Sequence, residues 1–278
     1  MQLPLFYVDD LIRTALREDI HYLDTTTDLM IPEDSRSEAC FVAKADGILC
    51  GLEVALRVFE LLDDTFRATV YIREGQPVKP GDRIAEVEGY TRALLKGERT
   101  ALNLLQHMSG VATATHQAVE LVRGTRAAIT DTRKTLPGLR SLQKYAVTVG
   151  GGKNHRFNLS DGAMLKDNHI DAAGGIPQAV AAIRDKLGHM VKLEVETRNL
   201  EEVQQALDAG ADVIMLDNMD CASMKQAVEL VQGRAWLEAS GGITNETLRA
   251  VAETGVDIIS IGALTHSVKA MDISMKIR

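Results

Sequence analysis

The sequence predicts an α/β protein in which an N-terminal α/β sandwich domain, over about residues 1–115, precedes a parallel α/β barrel. Three observations predict this. From about residue 126, six short β-rich apolar runs alternate with amphipathic helical stretches, the rhythm of right-handed β-α-β crossovers in a parallel sheet. Six such units in a row favour a closed barrel, and the Gly-x-Gly-x-x-Gly that an open doubly wound sheet usually carries after its first strand is absent. Before residue 115 the strands are short and separated by turn formers.

In order, Val8, Leu11, Ile12, Ala15 and Leu16 repeat at helical spacing and predict a helix over 8–18. Cys40–Ala43 reads as a strand ended by the Asp46-Gly47 turn, 53–62 as a helix, and 68–72 as a strand. Gly75-Gln76-Pro77-Val78-Lys79-Pro80-Gly81-Asp82 is a run of turn formers, followed by a strand at 84–87. A similar pattern occurs in biotinyl and lipoyl carrier domains, but no lysine sits on a hairpin between matching halves, so it reads as sandwich architecture. Two long helices are predicted over 92–107 and 109–123. The six apolar runs are 127–129, 163–165, 191–195, 213–216, 235–237 and 258–261, with helices near 172–188, 199–210, 221–232 and 245–255.

Composition narrows the function. The net charge of −8 argues against a nucleic acid or an anionic membrane as partner. No apolar run approaches a membrane span, and the first residues lack the basic-then-apolar pattern of a secretory signal. Cys40, Cys50 and Cys221 are far apart and form no Cys-x-x-Cys pair. A reduced, cytoplasmic protein is expected. Within residues 131–169, however, seven cations face three aspartates, a net +4 that leaves −12 for the rest of the chain. A basic island in an acidic protein is either a solvated face or an anion site, and the glycines and histidines threaded through it favour the anion site.

Barrel enzymes keep their reactive groups at the C-terminal ends of the strands. Here the exits read Thr130-Asp131-Thr132-Arg133-Lys134, Lys166-Asp167-Asn168-His169, Glu196, Asp217-Asn218, Glu238-Ala239-Ser240-Gly241-Gly242 and Gly262-Ala263-Leu264-Thr265-His266. A purely structural barrel needs no charged or polar group at every exit. Ser240-Gly241-Gly242 before a helix, and Gly262-Ala263 after the last run, suit a phosphate cradle of backbone N–H groups. Glu196 and Asp217, on neighbouring strands without a histidine or cysteine ligand set, suit Mg²⁺ bridged by substrate oxygens; as alternatives they are helix caps. Gly150-Gly151-Gly152 precedes Asn154-His155-Arg156, and Arg133, His155 and Arg156 together suit a dicarboxylate. Lys134 lies too far from any preceding glycine to belong to a phosphate loop.

At these residues the chain resembles the quinolinate phosphoribosyltransferase family. The resemblance lies in Thr132-Arg133-Lys134-Thr135-Leu136-Pro137-Gly138-Leu139-Arg140, Lys144-Tyr145-Ala146-Val147, Gly150 to Arg156, Lys166-Asp167-Asn168-His169, Glu194-Val195-Glu196, Leu216-Asp217-Asn218, Ser240-Gly241-Gly242 and Gly262 to His266. Asp24-Thr25-Thr26, Glu98-Arg99-Thr100-Ala101-Leu102-Asn103 and Ser109-Gly110-Val111-Ala112-Thr113 extend it over the N-terminal half. Leu23 stands where the family often has glycine. The resemblance implies a sandwich closed by a C-terminal tail (267–278), beside an incomplete, seven-stranded barrel over 116–266. It implies decarboxylating transfer from phosphoribosyl pyrophosphate to quinolinate, giving nicotinate mononucleotide, pyrophosphate and CO₂ for NAD synthesis. In its terms Lys134, Lys166, Glu196 and Asp217 are catalytic, with Glu196 and Asp217 on the ribose and Mg²⁺. Thr132 belongs to the substrate site, and Arg133, His155 and Arg156 grip the quinolinate carboxylates. Ser240, Gly241, Gly242, Gly262, Ala263 and His266 hold the 5′-phosphate, and Arg99 reaches a neighbouring subunit's site in a homodimer. The rivals are a molybdenum-associated paralogue, a nicotinate-specific transferase, a Schiff-base lyase using Lys166 or Lys192, and a barrel that kept its fold as a non-enzymatic scaffold.

Overall fold

A computed structural model describes residues 3–278. The chain divides into two compact units, one of residues up to 116 with 136–151 and 264–278, the other of 117–135 with 152–263.

The first unit opens with α1 (Leu5–Asp19), longer than predicted, and α2 (Thr25–Met30). α2 starts where the Asp24 carboxylate accepts the N–H groups of Thr26 and Thr27 at 3.1 and 3.0 Å, satisfying donors that a helix start leaves unpaired. Strand β1 (Arg36–Ala43), the short β2 (Gly47–Ile48), α3 (Leu52–Glu60), β3 (Arg67–Val70), the short β4 (Pro77–Val78) and β5 (Arg83–Tyr90) follow. β1 and β5 pair antiparallel at the centre of a four-stranded sheet with β3 at one edge. At the other edge lies the C-terminal strand Ile273–Ile277, its Met275 opposite Phe41. Val8, Ile12 and Leu16 of α1 and Leu52, Val54 and Val58 of α3 share one core. Phe41 meets Phe59 edge-on at 6.2 Å, and Phe59 stacks on Phe66 at 5.4 Å.

The two helices expected over 92–107 and 109–123 are one, α4 (Thr91–Leu121). The expected boundary at residue 108 is absent, and Gly110 lies within the helix, where it serves close packing. A Cβ there would stand 2.3 Å from the carbonyl oxygen of Lys269 in the C-terminal tail.

The second unit holds β6 (Ala128–Thr130). It is followed in the chain by α5 (Arg140–Val149), which groups with the first unit, and then by β7 (Ala163–Leu165). The helix expected over 172–188 is two, α6 (Asp167–Ala173) and α7 (Ile176–Arg184), separated by Gly174 and Gly175 at φ +85° and +132°, a conformation few other residues adopt. Then come β8 (Leu193–Thr197), α8 (Leu200–Asp208), β9 (Val213–Asp217), α9 (Cys221–Val231), β10 (Trp236–Ser240), α10 (Asn245–Ala252), β11 (Ile258–Ser260), the single turn α11 (Ala263–His266) and β12, the tail strand.

The six β strands of this unit pair in parallel in the order β6-β11-β10-β9-β8-β7. The last strand returns to the first, and the ring stays open between β6 and β7. Where a seventh strand was expected, Lys153 makes a single parallel bridge to Thr130, its N–H donating to the Ile129 carbonyl at 2.8 Å. No described helix is long and apolar enough to cross a membrane.

Candidate active site

Side chains alternate faces along a strand, so residues two apart at a strand's end point the same way. In the second unit this places Met164 and Lys166, Glu194 and Glu196, Met215 and Asp217, and Glu238 and Ser240 on one face of successive strands. Register holds them level: Met164 lies opposite Glu194, Glu196 opposite Met215, Met215 opposite Glu238, and Asp217 opposite Ser240.

All of these but Glu194 line a pocket of about 280 Å³ at the strand exits, joined by Thr132, Arg133, Lys134, His155, Arg156 and Ser260. Nine residues predicted for the site therefore converge on it: Thr132, Arg133, Lys134, His155, Arg156, Lys166, Glu196, Asp217 and Ser240. Gly241 and Gly242 continue directly from Ser240, both with positive φ (+93° and +61°). Gly262 and Ala263 follow β11. His266, exposed at the end of α11, and Arg99, exposed on α4, belong to the first unit.

The pocket is electrostatically divided. Burial, and then the charge of Arg133, lower the pKa of Arg156. Two guanidiniums close enough to repel form a site that calls for an anion. Arg156 is held by a 2.8 Å bond from Nη1 to the Gly162 carbonyl, with Nη2 3.6 Å from the Met164 sulfur. Lys134 projects from the turn after β6, where its N–H donates to the Thr132 hydroxyl at 3.0 Å. On the other side Lys166 Nζ lies 3.0 Å from Glu196 Oε2, and Asp217 Oδ2 accepts from Asn218 Nδ2 at 2.8 Å.

The glycine turn is shaped by that asparagine. Asn218, itself at φ +54°, donates its N–H to the Ser240 carbonyl at 2.9 Å. A Cβ on Gly241 would stand 2.3 Å from Asn218 Oδ1. Gly241→Ala thus meets both a collision and a disfavoured backbone worth about 1–3 kcal/mol. It is expected to weaken binding of ribose 5-phosphate in calorimetry. Unchanged affinity would remove the turn from the phosphate site.

Glu196 and Asp217 offer carboxylate oxygens only, the donor chemistry that suits Mg²⁺ and not a softer ion, so the pair fits the ion expected there. A second cluster was not foreseen. His155, Glu194 and Glu238 place one ligand-capable atom each within 4.8 Å of one another. His155 Nε2 lies 3.1 Å from Glu194 Oε2 and 3.4 Å from Glu238 Oε2, and both glutamates are buried.

Burial opposes charge on His155, whereas its hydrogen bonds to Glu194 and Glu238 favour it. A charged ring would also carry a proton on Nδ1, where the Arg156 N–H already donates at 2.8 Å. The two cannot coexist. The bond to Nδ1 decides for the ring protonated on Nε2 alone, with that proton directed at the two glutamates. A nitrogen that keeps its proton is not a metal ligand, so this cluster is a hydrogen-bonded unit.

Sequence reasoning missed Met164, Glu194, Met215, Glu238 and Ser260 as lining or supporting groups. The signal was present for four of them: each precedes a predicted or pocket residue by two positions on the same strand.

Comparison with known proteins agrees across nearly the whole chain. The quinolinate phosphoribosyl transferase C-terminal domain matches residues 111–276 and its N-terminal domain residues 24–109. A Bacillus subtilis protein described as a probable nicotinate-nucleotide pyrophosphorylase [carboxylating] is 47% identical over 260 residues, covering 94% of this chain and 90% of the relative. A chloroplastic nicotinate-nucleotide pyrophosphorylase [carboxylating] of Arabidopsis thaliana is 43% identical, covering 99% and 84%. Among solved structures, NadC from Streptococcus pyogenes superposes with a TM-score of 0.97 at 42% identity, covering 100% of this chain and 99% of that one.

Proposed function

This chain belongs to the quinolinate phosphoribosyltransferase family, and from that premise we propose how its pocket performs decarboxylating phosphoribosyl transfer. The protein is an enzyme, a nicotinate-nucleotide pyrophosphorylase (carboxylating) of NAD biosynthesis. The observation that carries the residue assignment is the pocket's division, with Arg133, Lys134 and Arg156 on one side and Glu196, Asp217 and the Ser240-Gly241-Gly242 turn on the other.

On this reading Arg133 and Arg156 hold the two carboxylates of quinolinate, with His155 beside them and Met164 and Met215 as the apolar wall for the ring. Guanidinium forks match carboxylates bidentately. Thr132 shapes the turn that presents Lys134 between the acid and the sugar. Ser240, Gly241 and Gly242, with Gly262 and Ala263, receive the 5′-phosphate.

The ring nitrogen bonds to C1′ of the ribose as pyrophosphate departs. Positive charge develops on the sugar, which Glu196 and Asp217 stabilise, while Lys166 faces the leaving group. The C2–carboxylate bond then breaks and CO₂ leaves. The electron pair stays on C2 beside the positively charged nitrogen until a proton takes its place. Glu196 and Asp217 would hold Mg²⁺, which neutralises pyrophosphate charge when bound. Positioning and electrostatics thus supply the catalysis, without an activated serine or cysteine.

We assign the enzyme to a homodimer with shared sites. Arg99 is exposed on α4, and α2 is fastened to the same helix by the 2.5 Å Asp28–Lys96 ion pair. α2 leaves Leu29 and Met30 76% and 67% exposed. An apolar patch beside an arginine that lies outside the pocket lining suits a face covered by a second copy. The free thiols of Cys40, Cys50 and Cys221 suit a reducing, cytoplasmic setting.

The test is pyrophosphate release from phosphoribosyl pyrophosphate and Mg²⁺, with quinolinate and nicotinate supplied separately. Release with quinolinate alone, matched by CO₂, is the expected result. Release with nicotinate alone would reassign the acid pocket, and no release with either acid would overturn the reading.

A further inference from the structure

We infer that Glu194 and Glu238 are positioning residues that fix the acid-gripping Arg156 through His155, which itself acts from within the protein and not as a direct substrate ligand. This rests on the reading of the pocket given above and deepens it.

Both nitrogens of the His155 ring are engaged by the protein. Nδ1 accepts the Arg156 N–H at 2.8 Å, and Nε2–H is shared between Glu194 and Glu238 at 3.1 and 3.4 Å. A ring so committed has no donor left to aim at a carboxylate, but it is rigid and bonded directly to the residue that has one. The segment is fixed at its other side too. Asp131 accepts the His155 N–H at 2.9 Å and Asn154 Nδ2 at 2.7 Å, which seats the loop against the end of β6.

The acid pair costs stability where it stands. Glu238 is 1% exposed and Glu194 6%, and Oε1 of each is buried without a hydrogen-bond partner in the protein. Buried acids this poorly satisfied are expensive to keep, so packing alone does not account for them. Their location does. Glu238, His155 and Arg156 line the substrate pocket and also a second cavity of about 310 Å³, which Glu194 and Thr130 line as well. The cluster is thus the partition between the two spaces. Together with the Asp131 bonds it holds the His155–Arg156 backbone beside the pocket wall.

When Glu238 is replaced by an apolar residue of similar size, Glu194 still accepts Nε2–H and the unpartnered Glu238 Oε1 is removed, so stability need not fall, which separates positioning from mere structure. Glu238→Leu is expected to keep or raise the thermal midpoint. Its kcat/KM for quinolinate should fall by about 10²-fold, through KM, while KM for phosphoribosyl pyrophosphate stays within about twofold. Glu238→Gln retains an acceptor for Nε2–H and should recover most of the loss. Should Glu238→Leu not fold, His155→Phe carries the same expectation, and combining it with Glu238→Gln should add nothing further.

Wild-type-like quinolinate KM in the folded Leu variant, or both KM values rising together as the midpoint falls, would overturn the inference. Failure of the wild-type enzyme itself to use quinolinate would instead overturn the functional reading on which it rests.

Discussion

Lys134→Ala is expected to lower turnover by roughly 10³-fold without unfolding the protein, since removing one preorganised charge-stabilising group from a transition state typically has that effect. Lys134 is exposed in the turn after β6 yet lines the pocket. Its side chain contributes nothing to the buried core, so the thermal midpoint should stay at the wild-type value. The measurement is pyrophosphate release under saturating substrates beside a melting curve on the same preparation. A folded variant with wild-type rate would remove Lys134 from the site. A fall in both rate and midpoint would mean that the turn, and not the ammonium, had been lost.

The second large effect concerns Arg99. It is exposed on α4, in the unit that does not carry the pocket lining. If a neighbouring copy supplies it, Arg99→Ala and Arg133→Ala should each be nearly inactive alone. Mixed after dissociation they should recover about a quarter of wild-type activity, because half of randomly assorted dimers are mixed and each mixed dimer has one intact site. Recovery at that level is the expected outcome. Verified mixed dimers without activity would show that each chain builds its site from its own residues.

Much of this was legible because its causes are local. The strand–helix alternation after residue 126 follows from the periodicity of apolar residues, and all six runs became strands, with ends displaced by at most three residues. The cations and carboxylates of the pocket could be named because a parallel ring sends its strand ends to one rim. What escaped was non-local or hidden by local ambiguity. The boundary expected at residue 108 does not exist, and the reason for Gly110 within the one helix shows only when the Lys269 carbonyl of the distant C-terminal tail is seen against it. Gly174-Gly175 reads as tolerable within a helix until both adopt positive φ. The resemblance implied seven strands, but the parallel sheet of the described residues has six, with Lys153 adding a single bridge to Thr130.

By itself the sequence determined the class of fold, the presence of an anion site and the identity of the groups at its rim, since these depend on residue type and spacing along the chain. Only the tertiary structure decided which of those groups meet. The register of parallel strands sets Glu238 level with Met215 and Met164 with Glu194 across whole strand–helix units of the chain, and no spacing in the chain encodes that. Glu238 read only as one of several polar groups at the strand exits, and Glu194 only as part of a motif. Burial in the ring, against the one histidine nitrogen that carries a proton, made them part of the machinery.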